Sequence, residues 1–522
     1  MLSRRHLLAG AASLAALQAA HPVLAQGAPP PGQPQTFPFE EVVRRARELA
    51  SVPFDGSVPP LPEALAGLSF DAYRDIRFRP DRALLAQSGG PFRMQMFHLG
   101  FLFRRPVTVN VIREGMPTPV LYQPALFDLG KNRFERPFPI NLGFAGFRLH
   151  YPLNRPNVLD EVIAFLGASY FRFLGRDQRY GLSARALALR VEGSQQPEEF
   201  PFFREFWVDS APGQAPDRAT IYGLLDSSAV TGAYRFDVYP GAETVVEVTA
   251  NLFPRRTVTA VGMAPLTSMF FVGENDRRFS DDFRPELHDS DGLLLHSGAG
   301  EWIWRPLRNP ARKTVSSFLD NNPRGFGLLQ RDRTFENYQD LEALYHMRPG
   351  YWVEPIGSWG EGKVELVEIP TKDETEDNIV AYWEPKTPWE PGQEVVHAYR
   401  IRSLTQADRL HPGGKAVNTY MARPQASGSS ETGDPTARRF IIDFAGGDLP
   451  YFLATPEAVQ VVPSTSTGRI THTFVVPNDH TQGFRCAFDV KLEPGQRTDL
   501  RCFLRAGGRA LTETWTYPWA PV

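Results

Sequence analysis

Short runs in which apolar and polar residues alternate recur along almost the whole chain, each closed by Gly, Pro or Asp. Val107-Thr108-Val109-Asn110-Val111 is one, and Tyr234–Tyr239, Thr244–Leu252 and Lys363–Ile369 are others. A period of two turns one face of a strand inward and the other outward. With 47 Pro and 43 Gly in 522 residues, such runs stay short and long helices are disfavoured. Three stretches carry the 3.6-residue period instead and predict surface helices. They are Phe39–Ala50 (Phe39, Val42, Val43, Ala46, Leu49), Asn157–Leu166 (Leu159, Val162, Ile163, Leu166) and Phe335–His346 (Phe335, Tyr338, Leu341, Tyr345). Many strands with few helices predict a mainly β chain built on a large antiparallel β-sandwich. Further strand-like segments near the C-terminus, including Arg439–Phe444, Thr471–Val476 and Thr512–Tyr517, suit a smaller immunoglobulin-like sandwich. The expected joint is Ser403–Gly413, which divides the chain into a first domain over 37–402 and a second over 414–522.

The N-terminus reads as an export signal. Ser3-Arg4-Arg5-His6-Leu7-Leu8 is a twin-arginine pattern, the apolar run Leu7–Ala20 follows, and Val23-Leu24-Ala25 places small residues before a cleavage site after Ala25. That run is shorter than the roughly 20 residues needed to cross a membrane. Residues 1–25 are therefore expected to be removed, 26–36 to form a disordered Gly/Pro/Gln-rich leader, and the mature chain to work in the periplasm without a membrane span. Losing Arg4 and Arg5 takes the formal charge from −3 to −5. A mildly acidic chain with no basic block argues against nucleic acid and anionic membranes and fits a neutral ligand. Cys486 and Cys502, the two cysteines, lie on strand-like segments Gly483–Leu492 and Thr498–Arg505, joined by Glu493-Pro494-Gly495. A hairpin centred on Pro494 would set them opposite each other, where a disulfide and two free thiols are both open. Two cysteines make no metal cluster.

The stretch His288–Trp383 is the most distinctive. It holds Trp302, Trp304, Trp352, Trp359 and Trp383 among polar strings: His288-Asp289-Ser290-Asp291-Gly292, Asp320-Asn321-Asn322-Pro323 and Glu374-Thr375-Glu376-Asp377-Asn378. Flat aromatic faces beside short carboxylates suit a sugar, whose C–H face packs on a ring while a carboxyl serves its hydroxyls or glycosidic oxygen. Trp302 and Trp304 alternate and share one face, which in most proteins is core. No Gly-x-Ser-x-Gly elbow, Walker loop or His-Glu-x-x-His is present, and Asp289-Ser290-Asp291-Gly292 lacks the later ligands of a calcium loop. What remains is carboxylate chemistry, although an Asp in such a string more often caps a turn than catalyses.

At these residues the chain resembles the osmoregulated periplasmic glucan biosynthesis proteins G and D. The matching strings are Phe97-His98-Leu99-Gly100, Leu142-Gly143-Phe144-Ala145-Gly146-Phe147-Arg148, Phe165-Leu166-Gly167-Ala168-Ser169-Tyr170-Phe171-Arg172, Tyr180-Gly181-Leu182-Ser183-Ala184-Arg185 and Ala264-Pro265-Leu266-Thr267-Ser268-Met269-Phe270. His288-Asp289-Ser290-Asp291, Asp320–Gln330, Asp377-Asn378-Ile379-Val380 and Asp443–Leu449 continue the match. The twin-arginine signal is more typical of the D branch. The resemblance implies a galactose-mutarotase-like sandwich with a long cleft, an immunoglobulin-like domain after it, and a β-1,2-linked glucan as substrate. For the D type it implies an inverting endo-β-1,2-glucanase with Asp377 as general acid and Asp289 as general base, the base working through a relay. Tyr345, Asp340, Glu374, Arg348 and Trp359 are the positions expected to relay protons or touch sugar, with no metal and no cofactor. Protonation of Asp377 is expected to come from burial or from neighbouring Glu374 and Glu376. Glu376 departs from relatives that carry an apolar residue there. Two other readings stay open: a transglycosylase that cyclises or branches the glucan, and a non-catalytic glucan-binding partner of an inner-membrane glucan synthase.

Overall fold

Alternation in the sequence becomes strand pairing in space. The computed structural model describes residues 37–189, 198–210, 217–277, 281–406, 409–425, 434 and 436–521, so the expected signal and leader lie outside the described residues. One antiparallel sheet runs in the order Arg93–Phe97, Gly146–Arg155, Val158–Leu166, Tyr170–Phe173, Ser183–Arg185, Val261–Ser268, Ile379–Pro385, Glu361–Glu368, Thr314–Asn321, with Leu187–Leu189 also on Val261–Ser268. A larger sheet runs from Val459–Thr465 through Thr498–Ala506, Thr514–Trp519, Trp302–Pro306, Gly292–His296, Gly325–Leu329 and Gly350–Ile356 to Val395–Leu404. It continues through Val245–Pro254, Val230–Tyr239, Ala219–Asp226, Phe202–Asp209 and Thr108–Arg113 to the edge strand Met116–Pro119.

The two sheets meet in a core of phenylalanines. Phe165 lies 5.3 and 5.5 Å, ring centre to ring centre, from Phe147 and Phe171 of its own sheet, and 5.1 Å from both Phe206 and Phe236 of the other. Such tilted and edge-to-face rings add specific geometry to the area they bury. The helix Phe39–Ala50 forms as its periodicity predicts and buries Val42 and Ala46 against the larger sheet. Near the C-terminus a four-stranded sheet, Lys415–Ala422, Ala437–Ala445, Gly483–Lys491, Arg469–Asn478, covers a second core of Phe440, Phe488, Trp515 and Tyr517. That core also takes in Trp304 and Trp352, because Thr514–Trp519 pairs in parallel with Trp302–Pro306 and carries the larger sheet into it.

Three local expectations are corrected. Residues 157–166 are a strand, Val158–Leu166, and not a helix. The ladder to Gly146–Arg155 shifts register between Leu149↔Ile163 and His150↔Glu161, leaving Val162 as a bulge. Val162 and Ile163 are thus both buried, which breaks the period of two and imitates helical spacing. The helix expected over Phe335–His346 stops at Tyr338, since Gln339 and Leu344 take left-handed backbone (φ 56° and 49°). The Asp340 carboxylate takes the backbone N–H groups of Glu342 and Ala343, offering the chain a turn in place of a helix. Cys486 and Cys502 do not share a hairpin. Their strands belong to opposite sheets of the C-terminal sandwich, and the thiols meet across its core, free, with sulfurs 3.8 Å apart.

Truncating the central ring should test the core directly. Phe165→Ala is expected to cost about 3–5 kcal/mol, read as a lower denaturant midpoint at unchanged slope. A loss below about 1 kcal/mol would mean that the two sheets are not held by this cluster.

Candidate active site

Two polar strings far apart in sequence are anchored on one short piece of backbone. Asp289 donates its N–H to Met269 O at 2.8 Å. Asn378, beside Asp377, accepts from Phe270 N–H at 2.8 Å and donates to Phe270 O at 3.0 Å. The ring of His288 stacks on that of Phe270 at 5.3 Å, and the Ser290 and Ser268 hydroxyls share a hydrogen bond of 2.9 Å. Met269–Phe270 leaves the strand Val261–Ser268, so the sheet itself sets where Asp289 and Asp377 stand. Asn309 holds the start of the acidic loop in the same way, donating to Thr371 O at 2.9 Å and accepting from Thr371 N–H at 3.0 Å.

Around Asp289 the charges form one connected chain. The Asp289 carboxylate is 5% exposed and pairs with the Arg348 guanidinium. Arg348 lies 3.9 Å above the Tyr345 ring, and the Tyr345 hydroxyl donates to Glu374. Glu374 accepts from Arg284 at 2.9 and 3.2 Å, and Arg284 also reaches Asp340 and Asp282, each at 2.8 Å. Gly181 makes room for Arg348, since a Cβ there would lie 2.9 Å from its side chain. Burial pushes the Tyr345 phenol well up, and its bond to Glu374 adds to that. Burial also acts to raise Asp340, but the N–H groups of Ala343 and Glu342 and the Arg284 charge outweigh it and hold that carboxyl below the usual range.

Asp377 is set apart electrically. Its side chain is 35% exposed and accepts no hydrogen bond from protein among the described residues. Arg172 Nη2 stands 3.9 Å away, with Arg172 Nε bonded to Ser183 Oγ at 2.8 Å. The protein around its inner side withdraws water and raises the carboxyl above its ordinary value; the Arg172 charge opposes this and the Asp289 charge adds to it. The leading causes are thus burial and Asp289, not the sequence neighbours Glu374 and Glu376. Glu374 is engaged by Arg284 and Tyr345, and Glu376 is exposed.

Of the seven residues expected from sequence, Asp289, Arg348, Tyr345, Glu374 and Asp340 are joined in this chain, and Asp377 faces it through its interaction with Asp289. Trp359 is not part of the group. It packs on Trp383, His397 and Tyr399 and donates its indole N–H to Ala398 O at 3.2 Å. Arg284 and Arg172 were missed as participants. Arg172 stood in a quoted string and Arg284 in none, and an arginine in a sequence carries no mark of the acid it will meet. No group of His, Cys, Asp and Glu able to hold a metal occurs among the described residues.

Behind Asp289 the imidazole of His288 is fully buried between Glu286 (2.8 Å) and Gln330 (2.9 Å). Burial alone would lower its pKa, but Glu286, with Asp291 and Glu274 further off, more than offsets that and raises it to about 9. A raised histidine gives stability that is complete below its unfolded value near 6.5 and lost as pH climbs through about 9. Buried Glu274 is also raised, and it moves stability in the same direction. The thermal midpoint should therefore fall between pH 6.5 and 9, less steeply in Glu286→Gln. A flat midpoint across that window would show that His288 is not charged in the fold.

Comparison with known proteins finds relatives over nearly the whole chain. The family described as periplasmic glucan biosynthesis protein, MdoG, matches residues 37–519. A probable glucans biosynthesis protein D of Shewanella oneidensis is 43% identical over 495 residues, covering 94% of this chain and 90% of the relative. A glucans biosynthesis protein G of Ralstonia nicotianae is 44% identical over 488 residues, covering 92% and 95%. A glucans biosynthesis protein D of Xanthomonas oryzae pv. oryzae is 43% identical over 532 residues, covering 100% and 98%. Relatives named D and G match to a similar degree. The chain belongs to the periplasmic glucan biosynthesis protein family.

Proposed function

We propose that this protein is an endo-acting, inverting β-1,2-glucanase of the periplasm, with Asp377 as general acid and Asp289 as general base. The observation that carries the reading is the contrast between the two carboxyls. Asp377 is raised by burial and accepts no protein hydrogen bond among the described residues, as a proton donor should be. Asp289 is almost fully buried and held in an ion pair by the Arg348 guanidinium. Divergent environments for neighbouring carboxyls are how a site separates acid from base. In the step, Asp377 gives its proton to the glycosidic oxygen as that bond breaks. Water attacks the anomeric carbon from the opposite face and releases its proton towards Asp289. Because Asp289 is covered by Arg348, the proton passes through intervening hydroxyls, with Tyr345 and substrate hydroxyls as candidates. Arg284 holds Glu374 and Asp340 in place, and Arg348 orients Asp289.

The rest of the reading follows the family and the sequence. Residues 37–402 would handle glucan and 414–522 would form the immunoglobulin-like sandwich, with 403–413 as linker. Export would use the twin-arginine pattern, and an inner-membrane glucan synthase would be the partner. No helix among the described residues is long and apolar enough to cross a membrane.

Linear β-1,2-glucan with the mature protein, followed by NMR of the anomeric protons, tests the assignment. Wild type should release new α-anomeric reducing ends, and Asp377→Asn should lose about 10²–10⁴ in rate. Products without new reducing ends would replace hydrolysis by transglycosylation. Unchanged glucan with binding retained would leave only a binding role. Arg172→Met offers a second check. The Arg172 charge lowers the Asp377 pKa, so its removal should move the alkaline limb of the rate profile to higher pH. An unmoved limb would take the acid role away from Asp377.

A further inference from the structure

A buried ion pair ties the C-terminal strands to the residues beneath the candidate catalytic group. Glu513, just ahead of the strand Thr514–Trp519, is 1% exposed. Its carboxylate takes Arg331 Nη1 at 2.6 Å and Nη2 at 2.9 Å, and also the N–H of Ala416 at 3.0 Å. Arg331 donates to Ala416 O at 2.9 Å and lies 3.5 Å over the Trp304 ring. The planar guanidinium is thus fixed at its edge by Glu513 and on its face by Trp304, an arrangement that Lys could not reproduce.

The main chain at Arg331 leads straight to the site. The N–H of Arg331 meets both Asp291 carboxylate oxygens at 2.8 Å, and the N–H of Asp332 meets one of them at 2.8 Å. The preceding residue, Gln330, is a three-way clip. Its Oε1 pairs with His288 Nδ1 at 2.9 Å, and its Nε2 donates to His288 O at 2.9 Å and to Tyr345 O at 3.3 Å. One side chain therefore holds the residue before Asp289 and the residue whose hydroxyl serves Glu374. Gln330 is buried, and its chain neighbour Arg331 is the residue that the Glu513 ion pair fixes.

We propose that Glu513 and Arg331 are positioning residues, through which the C-terminal sandwich sets the placement of Asp289 and Tyr345. This rests on the reading of those two as members of the catalytic group. A buried ion pair is weak evidence for stability alone, because apolar residues of similar size often serve as well. What it supplies is a unique geometry, and here that geometry ends at Gln330. A second strut runs parallel to it: Arg308 donates its N–H to Glu368 at 2.8 Å and a guanidinium N–H to Pro518 O at 3.1 Å, near the base of the acidic loop.

The test uses the full mature chain with Glu513→Gln, Arg331→Lys and, as comparator, Arg439→Met. Arg439 pairs with Asp489 at 2.7 Å inside the four-stranded sheet and has no link to Gln330. Backbone hydrogen exchange read by mass spectrometry should quicken in Glu513→Gln at 286–291 and 344–348, and stay as in wild type at 146–151. On linear β-1,2-glucan, kcat should fall about tenfold with KM held within about twofold, the split expected when alignment and not binding is lost. Arg439→Met should lower the thermal midpoint while leaving kcat and exchange at 286–291 unchanged. Wild-type exchange at 286–291 in Glu513→Gln would overturn the proposal, and so would an equal kcat loss in Arg439→Met. Should Glu513→Gln fail to fold, Arg331→Lys keeps the charge, loses the fork and reads the same quantities. If wild type shows no action on the glucan, the catalytic reading fails, and the exchange data still decide the positioning role on their own.

Discussion

The two-residue stretch Met269–Phe270 is the constraint on which the site depends. Its two carbonyls and the Phe270 N–H hold Asp289 and Asn378, and its ring supports His288. Each of these bonds is modest by itself. Together they convert the rigidity of a strand in a packed sheet into a fixed relation between two carboxyl groups from distant parts of the chain. The phenylalanine core beneath is what makes that strand rigid, since a close-packed interior tolerates little displacement.

Charge is handled as strictly as packing. Arg305 and Glu368 are both essentially inaccessible and pair at 2.8 Å, and Arg331 with Glu513 repeats the pattern. Leaving either partner unpaired would strand a desolvated charge. Asp377 is the exception: it is raised by its surroundings, accepts no protein hydrogen bond among the described residues and opens to solvent, with Arg172 3.9 Å away. That solvent-facing carboxyl contrasts with a carboxylate bound directly by Arg348, and the asymmetry between the two is a property of the neighbours that each has acquired in three dimensions.

How much was legible in the sequence varied with how local the cause was. The helix Phe39–Ala50 forms as read, and strands form around Val107–Val111, Tyr234–Tyr239 and Lys363–Ile369, although burial in these three runs through consecutive residues and does not alternate. The strand Val158–Leu166 was misread because the bulge at Val162, created by pairing with Gly146–Arg155, puts two consecutive residues inside. The break after Tyr338 was missed because the side chain of Asp340 takes the N–H groups a helix would have used. The cysteines were placed in a hairpin by a turn that in fact carries the chain from one sheet to the other.

The candidate site divides along the same line. The strings around Asp289 and Asp377 could be singled out from the chain alone, together with the mainly β class, the alternating strands and the family resemblance. All of these rest on residue type, order and short-range period, which a linear sequence records. Only the tertiary structure brought Arg284 to Glu374 and Asp340, set Arg172 beside Asp377, gave Trp359 to the core and joined Glu513 to Gln330 through Arg331. Those pairings depend on register and sheet order, and on burial that decides which charges must find each other. A side chain's partner is chosen by where the fold leaves it, not by its place in the chain.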